Sequence, residues 1–170
     1  ELLWQLPGLG EETLTEAHIF DGSDWTVKDL LAHVAAWDRW EHRTMATLAA
    51  GEDPDLTAVD DADAFNAAAV EVWRERTLGE VLNELESARA AWTTWLHDVP
   101  LKAFLRSREL AEWDWAFPNR LQIQWEHDAE HAAHLATWAE RHARKKATGP
   151  KEVLIVALNA ARDELLTAAA

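Results

Sequence analysis

Three histidines stand at helical spacing in the second half of the chain. His127 and His131 are four residues apart, and His131 and His134 are three apart. Residues three and four apart lie on the same side of a helix, so these three imidazoles can project together. A fourth histidine, His33, lies on the apolar stripe of an earlier predicted helix. We therefore expect imidazoles from two separate helices to face the interior.

Converging imidazoles of this kind could bind a metal ion. A His-x-x-x-His pair on one helix and a third histidine on a facing helix supply three nitrogen ligands and leave a position for water or substrate. Burying imidazoles without partners costs about 1 to 3 kcal/mol each, and a shared ion removes that cost. Imidazole ligands suit several divalent transition metals, including Zn, Ni, Fe and Cu. Two alternatives stay open: a hydrogen-bonded polar patch with Asn66, Asp128 and Glu130, or a histidine-rich helix that faces solvent.

The pattern of apolar residues predicts the helices that must position these side chains. A 3.6-residue period covers residues 26–49, 61–76, 77–99, 120–143 and 151–168. Thr26 with Asp29, and Thr77 with Glu80, stand at the spacing of capping boxes. Residues 101–119 show no period and are expected to form an irregular connection, and residues 144–150 a linker. We predict a single all-α domain over residues 1–170, an antiparallel four-helix bundle with an additional or permuted C-terminal helix.

The same pattern indicates which side of a helix is buried. Phe65, Val72 and Trp73 are expected to form the buried side of the second helix. On the histidine-bearing helix, a neighbouring row of residues is expected to face water. That row consists of Glu126, Glu130, Ala133, Thr137 and Glu140.

Composition limits the classes of partner. Sixteen basic and 31 acidic side chains give a net charge of −15, which opposes binding to nucleic acid or to an anionic membrane surface. The chain has no cysteine, so nitrogen and oxygen atoms must supply any metal ligands. No apolar run approaches the roughly 18 to 20 residues of a bilayer span, and we expect a soluble, cytoplasmic protein. An exposed tryptophan on the flank of the bundle would permit a homodimer.

Tryptophan is unusually abundant, with 11 residues and no tyrosine. So many indole rings favour a broad aromatic core or a pocket lined by aromatic side chains. We expect Trp37, Trp92, Trp125 and His134 to line a pocket at the histidine site. Asn66 and Glu130 are candidates to support the site.

Three blocks of the sequence resemble the DinB-like superfamily. They are Trp25 to Trp37, Phe65-Asn66 ahead of a Leu-rich helix, and Glu126 to His131. The nearest branch looks like the ClbS/DfsB group of small bacterial four-helix bundles. In metal-binding members of the superfamily, one early histidine and a later His-x-x-x-His pair bind a divalent ion. The resemblance therefore implies that His33, His127 and His131 are metal ligands.

The resemblance also implies a range of activities. The superfamily includes thiol-dependent transferases and isomerases, and the nearer branch includes hydrolases that open a reactive cyclopropane in a toxin. We expect a metal-assisted hydrolase or transferase that acts on a reactive small molecule. The alternative is a binding module that holds an apolar or aromatic ligand in a tryptophan-lined cavity without catalysis. The pattern departs from the superfamily at His134, where a Gln or Glu is common.

The predicted order of the helices also differs from that of a typical member. Such a member begins with a helix before the Trp25 block, yet here the most similar segment is 151–166. Joining this segment to residues 1–3 would restore a family-like start, with residues 145–150 as the bridge. We therefore predict a circularly permuted, engineered chain with adjacent termini. A natural chain with an extra C-terminal helix is the alternative.

Overall fold

The computed structural model describes residues 11–15, 19–104, 109–110, 113–114 and 117–146 of the 170-residue chain. Four long helices dominate this part, which confirms the all-α fold class. The helices are α1 (Glu11–Leu14), α2 (Val27–Ala50), α3 (Ala62–Trp73), α4 (Leu78–Asp98), α5 (Leu101–Phe104) and α6 (Phe117–Lys146), and a 3-10 turn spans Thr57–Val59. None of the described helices combines the length and the apolar character needed to cross a bilayer.

Both predicted capping boxes form. The Thr26 hydroxyl accepts a hydrogen bond from the backbone N–H of Asp29, and the Asp29 carboxylate accepts one from the backbone N–H of Thr26. Thr77 and Glu80 make the same reciprocal pair at the start of α4. Helix α2 ends at Gly51, whose φ of 88° lies in the left-handed region that glycine adopts without strain. Local chemistry therefore sets the ends of the helix that carries His33.

Contacts along α2 show that successive long helices run in opposite directions. Along α2 from its start to its end, the contacting residues on α3 have decreasing residue numbers, those on α4 have increasing numbers, and those on α6 have decreasing numbers. The pairs are Lys28–Arg74 and Trp37–Asn66 for α3, Arg39–Glu84 and His42–Trp95 for α4, and His33–His131 and Glu41–Arg120 for α6. This alternation is that of the predicted antiparallel four-helix bundle.

The apolar core consists of two clusters that share α2. In the first, Leu30 and Val34 pack with Leu135 and Trp138, all essentially inaccessible to solvent. In the second, tryptophan side chains from α2 and α4 pack with Met45 and Leu48. Trp37, one turn after His33, packs against the second cluster. The histidine site therefore lies close to the junction of the two clusters.

The predicted buried side of α3 is only partly correct. Phe65 and Trp73 are half-buried, but Val72 is 70% exposed and Val70 is the buried valine. Three alanines precede Val70 and only Glu71 separates it from Val72, so the apolar period leaves the rotation of α3 open. Packing of α3 against α2 decides this rotation. In contrast, the row on α6 that was expected to face water does so at all five positions.

The described residues between 101 and 119 form regular elements that the sequence pattern did not predict. Residues 101–119, expected to be irregular, contain α5 and an antiparallel pair of two-residue strands, β1 (Glu109–Leu110) and β2 (Trp113–Asp114). Helix α6 begins at Phe117, because Pro118 in the first turn needs no N–H donor there. It continues through Lys146, three residues into the predicted linker. The predicted 151–168 helix, and with it the permutation, lies outside the described residues.

Candidate metal site

Two helices bring three imidazoles to one point. His33 lies on the buried face of α2 and is 4% exposed. His127 and His131 project from successive turns of α6 toward it. The Nε2 atom of His33 is 3.0 Å from that of His127 and 3.2 Å from that of His131, and the last two are 3.1 Å apart. The structure thus places the three predicted ligand atoms in a nearly equilateral triangle.

Hydrogen bonding alone cannot satisfy this triangle. In a neutral imidazole each Nε2 is either a donor or an acceptor. With three nitrogens in mutual contact, at least one contact must therefore join two donors or two acceptors. The Nδ1 atoms of the same three rings are buried and have no hydrogen-bond partner among the described residues. Three lone pairs directed at one cation would remove the conflict.

The dimensions of the triangle suit a divalent metal. Zinc–nitrogen bonds of about 2.0 to 2.1 Å in tetrahedral geometry separate nitrogen ligands by about 3.3 Å. The observed separations of 3.0 to 3.2 Å are close to that value. Among the described residues, His33, His127 and His131 form a group that could hold a metal ion. Three protein ligands also leave one tetrahedral position for water or substrate.

Burial keeps the three imidazoles neutral, which is the form that binds metals. Burial and, to a smaller extent, the charge of His127 lower the pKa of His33 to about 4, whereas the Asn66 side chain acts in the opposite direction. The pKa of His131 falls to about 3 through burial and the neighbouring histidines. Burial also lowers the pKa of His127, against the charges of Asp128 and Glu130. Little proton competition for the ligands is expected near pH 7.

Aromatic rings form one side of the site. The ring of Trp25 is centred 5.3 Å from that of His33, and the ring of Trp37 is centred 6.4 Å from His33 and 6.2 Å from His127. The indole N–H of Trp37 donates to the Asn66 amide oxygen over 2.9 Å, which fixes the rotation of the ring. Phe65 packs against the same indole. Trp37 and Asn66 thus both lie beside the histidines.

The other predicted pocket residues lie further from the triangle. His134 is one turn beyond His131, with ring centroids 5.7 Å apart, and its ring also contacts Phe20. Glu130 is exposed and acts on His127 through its charge. Trp92 packs in the second core cluster, stacked on Trp95. Trp125 is 68% exposed, because two residues along a helix turn it away from His127. The structure thus does not bring Trp92 or Trp125 to the three imidazoles.

Sequence reasoning also missed three residues close to the site. Trp25 precedes the cap of α2 and was noted only as part of a motif. Asp38 lies on the buried stripe of α2 and is fully inaccessible to solvent, and Arg89 of α4 pairs with it. The sequence offered one signal, the carboxylate of Asp38 at an apolar position of α2. A buried charge requires a partner, so this position indicated a cation nearby.

Comparison with known proteins gives one match. Residues 21–116, more than half of the chain, match the family of the mycothiol maleylpyruvate isomerase N-terminal domain. This family is part of the DinB-like superfamily, so the resemblance is confirmed at that level. The match includes His33 and ends just before α6, which carries His127 and His131. No curated protein and no solved structure matches the chain significantly.

Proposed function

We propose, from the premise that this chain belongs to the mycothiol maleylpyruvate isomerase N-terminal domain family, that it is a metal-dependent enzyme acting on a reactive small molecule. His33, His127 and His131 would hold a divalent transition metal such as Zn, Ni or Fe. The observation that carries the proposal is the triangle of Nε2 atoms 3.0 to 3.2 Å apart. The reaction would be a hydrolysis or a group transfer.

The roles of the surrounding residues follow from their positions. When bound, the ion would supply Lewis-acid polarisation of a substrate or activate a water molecule. The buried imidazoles hold their neutral state, so they need not lose protons before binding. Trp25 and Trp37 shield one side of the site from bulk water and offer flat apolar surfaces to a substrate. Asn66 maintains the orientation of Trp37.

Whether turnover requires a thiol distinguishes group transfer from hydrolysis. The name of the family supports a reaction that uses mycothiol, whereas the resemblance to the ClbS/DfsB branch supports hydrolysis of a strained ring. Turnover of an electrophilic substrate only with mycothiol would assign a transferase or isomerase. Turnover with water alone would assign a hydrolase.

Metal analysis tests the proposal directly. Protein purified without a polyhistidine tag should bind one equivalent of zinc or cobalt, because three neutral nitrogens converge on one point. His131→Ala should lower the affinity by about 100-fold or more, because it removes a ligand and the loss of an outer contact alone costs about 10- to 100-fold. Competition with a chromophoric chelator measures the change. His134→Ala is the matched control, since it removes an imidazole one turn away that is outside the triangle. Equal affinities for His131→Ala and the wild type would contradict the proposal.

A binding module without catalysis is the second candidate. The observation that favours it is the aromatic side of the site, where Trp25, Trp37 and Phe65 could hold an apolar or aromatic ligand. Ligand binding that quenches tryptophan fluorescence and is unchanged by chelators or by His131→Ala would support this function over the metal-dependent enzyme.

A further inference from the structure

One arginine joins three helices beside the histidine triangle. Arg89 of α4 pairs with Asp38 of α2, with Nε 2.5 Å from Oδ2. The same guanidinium forms a bidentate pair with Asp128 of α6, and one of its two bonds measures 2.6 Å. Asp38 is inaccessible to solvent, and the side chain of Asp128 is 21% exposed. Arg89 is therefore the side chain through which α4 holds both histidine-bearing helices.

This bridge is one of several polar contacts that connect α2 and α6. The Gln124 amide donates to the other oxygen of Asp38 over 2.6 Å, and Arg120 pairs with the buried Glu41. From His33 through Asp38 to Glu41 of α2, the partner residues on α6 lie progressively closer to the start of that helix. The contact between the two helices next to the site thus depends on hydrogen bonds and ion pairs of defined direction.

A metal site requires contacts that hold its ligand side chains in a fixed orientation. Rotating α6 by one residue turns its side chains by about 100°, which would remove His127 and His131 from His33. The burial of Leu135 and Trp138 opposes so large a rotation, and the bidentate arginine–carboxylate pair, whose geometry is fixed, also constrains smaller ones. Asp128 follows His127 in the sequence, so its pairing with Arg89 fixes the rotation of α6 at the ligand itself.

We propose that Arg89 is a positioning residue of the histidine site: by bridging Asp38 and Asp128 it fixes the rotation of α6 that presents His127 and His131 to His33. This inference rests on the proposed metal site. It assigns to Arg89 no contact with metal or substrate.

The test removes the α6 end of the bridge and leaves Arg89 paired with Asp38. Substituting Arg89 itself would leave a fully buried carboxylate without its cation and could unfold the protein. Asp128→Ala avoids this, because Asp128 is partly exposed and alanine favours the helix. Asp128→Asn keeps an oxygen that can accept a hydrogen bond from Arg89 but has no charge. The matched control is Glu84→Ala, which removes the partner of Arg39 in an ion pair of similar exposure that joins only α2 and α4.

Cobalt(II) is the probe, because its visible absorption reports coordination geometry as well as occupancy. We expect Asp128→Ala to bind cobalt about 10- to 100-fold more weakly than the wild type, the range typical of lost outer contacts, and to show a changed spectrum at saturation. Asp128→Asn should lie closer to the wild type, and Glu84→Ala should bind within about threefold of it. Circular dichroism verifies that each variant is folded.

Three results would contradict these expectations, and they are distinguishable. Equal cobalt affinity and spectra for Asp128→Ala and Glu84→Ala would overturn the role of Arg89. Equal losses for Asp128→Ala and Asp128→Asn would overturn it too, since charge alone would then explain the effect. A folded wild-type protein that binds no cobalt would overturn the proposed function itself.

Discussion

At the scale of single residues, the site is defined by imidazoles whose burial keeps them neutral. His33 and His131 have pKa values of about 4 and about 3, well below the ordinary value of 6.5. Burial is the largest cause for both. The same burial that prepares the rings for a metal makes them costly to protonate, so the site links the stability of the metal-free protein to pH.

The direction of this linkage follows from the lowered pKa values. Between about pH 6.5 and pH 4 the unfolded chain binds protons that the folded protein does not, so the free energy of unfolding should fall as pH falls. A shift of this size corresponds to a contribution on the order of 3 kcal/mol from His33 alone. Urea unfolding in the presence of a chelator, repeated across this range, measures the effect. The variant His131→Leu should flatten the pH dependence, and an unchanged slope would contradict the assignment.

At the scale of elements, α2 matters most because it supplies His33, Trp37 and Asp38. Its start is fixed by the capping box of Thr26 and Asp29, less than two turns before His33. The cap satisfies backbone N–H groups that have no partner within the helix. A cap this close to a ligand stabilises both the helix and the position of its first turns.

Removing the cap should therefore cost stability. Thr26→Ala leaves the backbone N–H of Asp29 without its side-chain acceptor and should lower the free energy of unfolding by about 1 kcal/mol. Hydrogen exchange should rise first in the opening turn of α2. Thr26→Ser is the matched control, since serine keeps the hydroxyl and should behave like the wild type within about 0.5 kcal/mol. Equal stabilities for the alanine and serine variants would show that the cap contributes nothing.

At the scale of the whole molecule, buried polar pairs join α6 to the rest of the bundle beside its apolar contacts. Among the ion pairs of the described residues, that of Glu41 with Arg120 is the most buried, with side-chain exposures of 2% and 5%. Such a pair contributes little net stability compared with apolar residues of the same size, but breaking it leaves a buried charge. We therefore expect this pair to act mainly by specifying how α2 and α6 align.

A double-mutant cycle measures this interaction. Arg120→Met should destabilise the protein by about 3 to 5 kcal/mol, because Glu41 loses its cation in the interior. The double variant Glu41→Leu with Arg120→Met should recover most of that loss. Arg74→Met, which breaks the exposed pair with Glu71, is the control and should change stability by less than about 1 kcal/mol. A double variant as unstable as Arg120→Met alone would contradict this account.

Much of the helical framework could be predicted from local sequence. Capping pairs and the 3.6-residue period placed the long helices, because each signal acts within one or two turns. The exposed row on α6 was predicted at every position for the same reason. The three histidines were predicted as candidate ligands from spacing and resemblance, since residues four apart on a helix must share a side.

What the sequence by itself determined was therefore which residues share a helix and a face. Only the tertiary structure decided how the helices are rotated against one another. That rotation brought His33 to the α6 pair, buried Val70 instead of Val72, left Trp125 exposed and joined Arg89 to both Asp38 and Asp128. The physical reason is that a helical period is local, whereas the contact between two helices depends on packing and ion pairing between residues far apart in the chain.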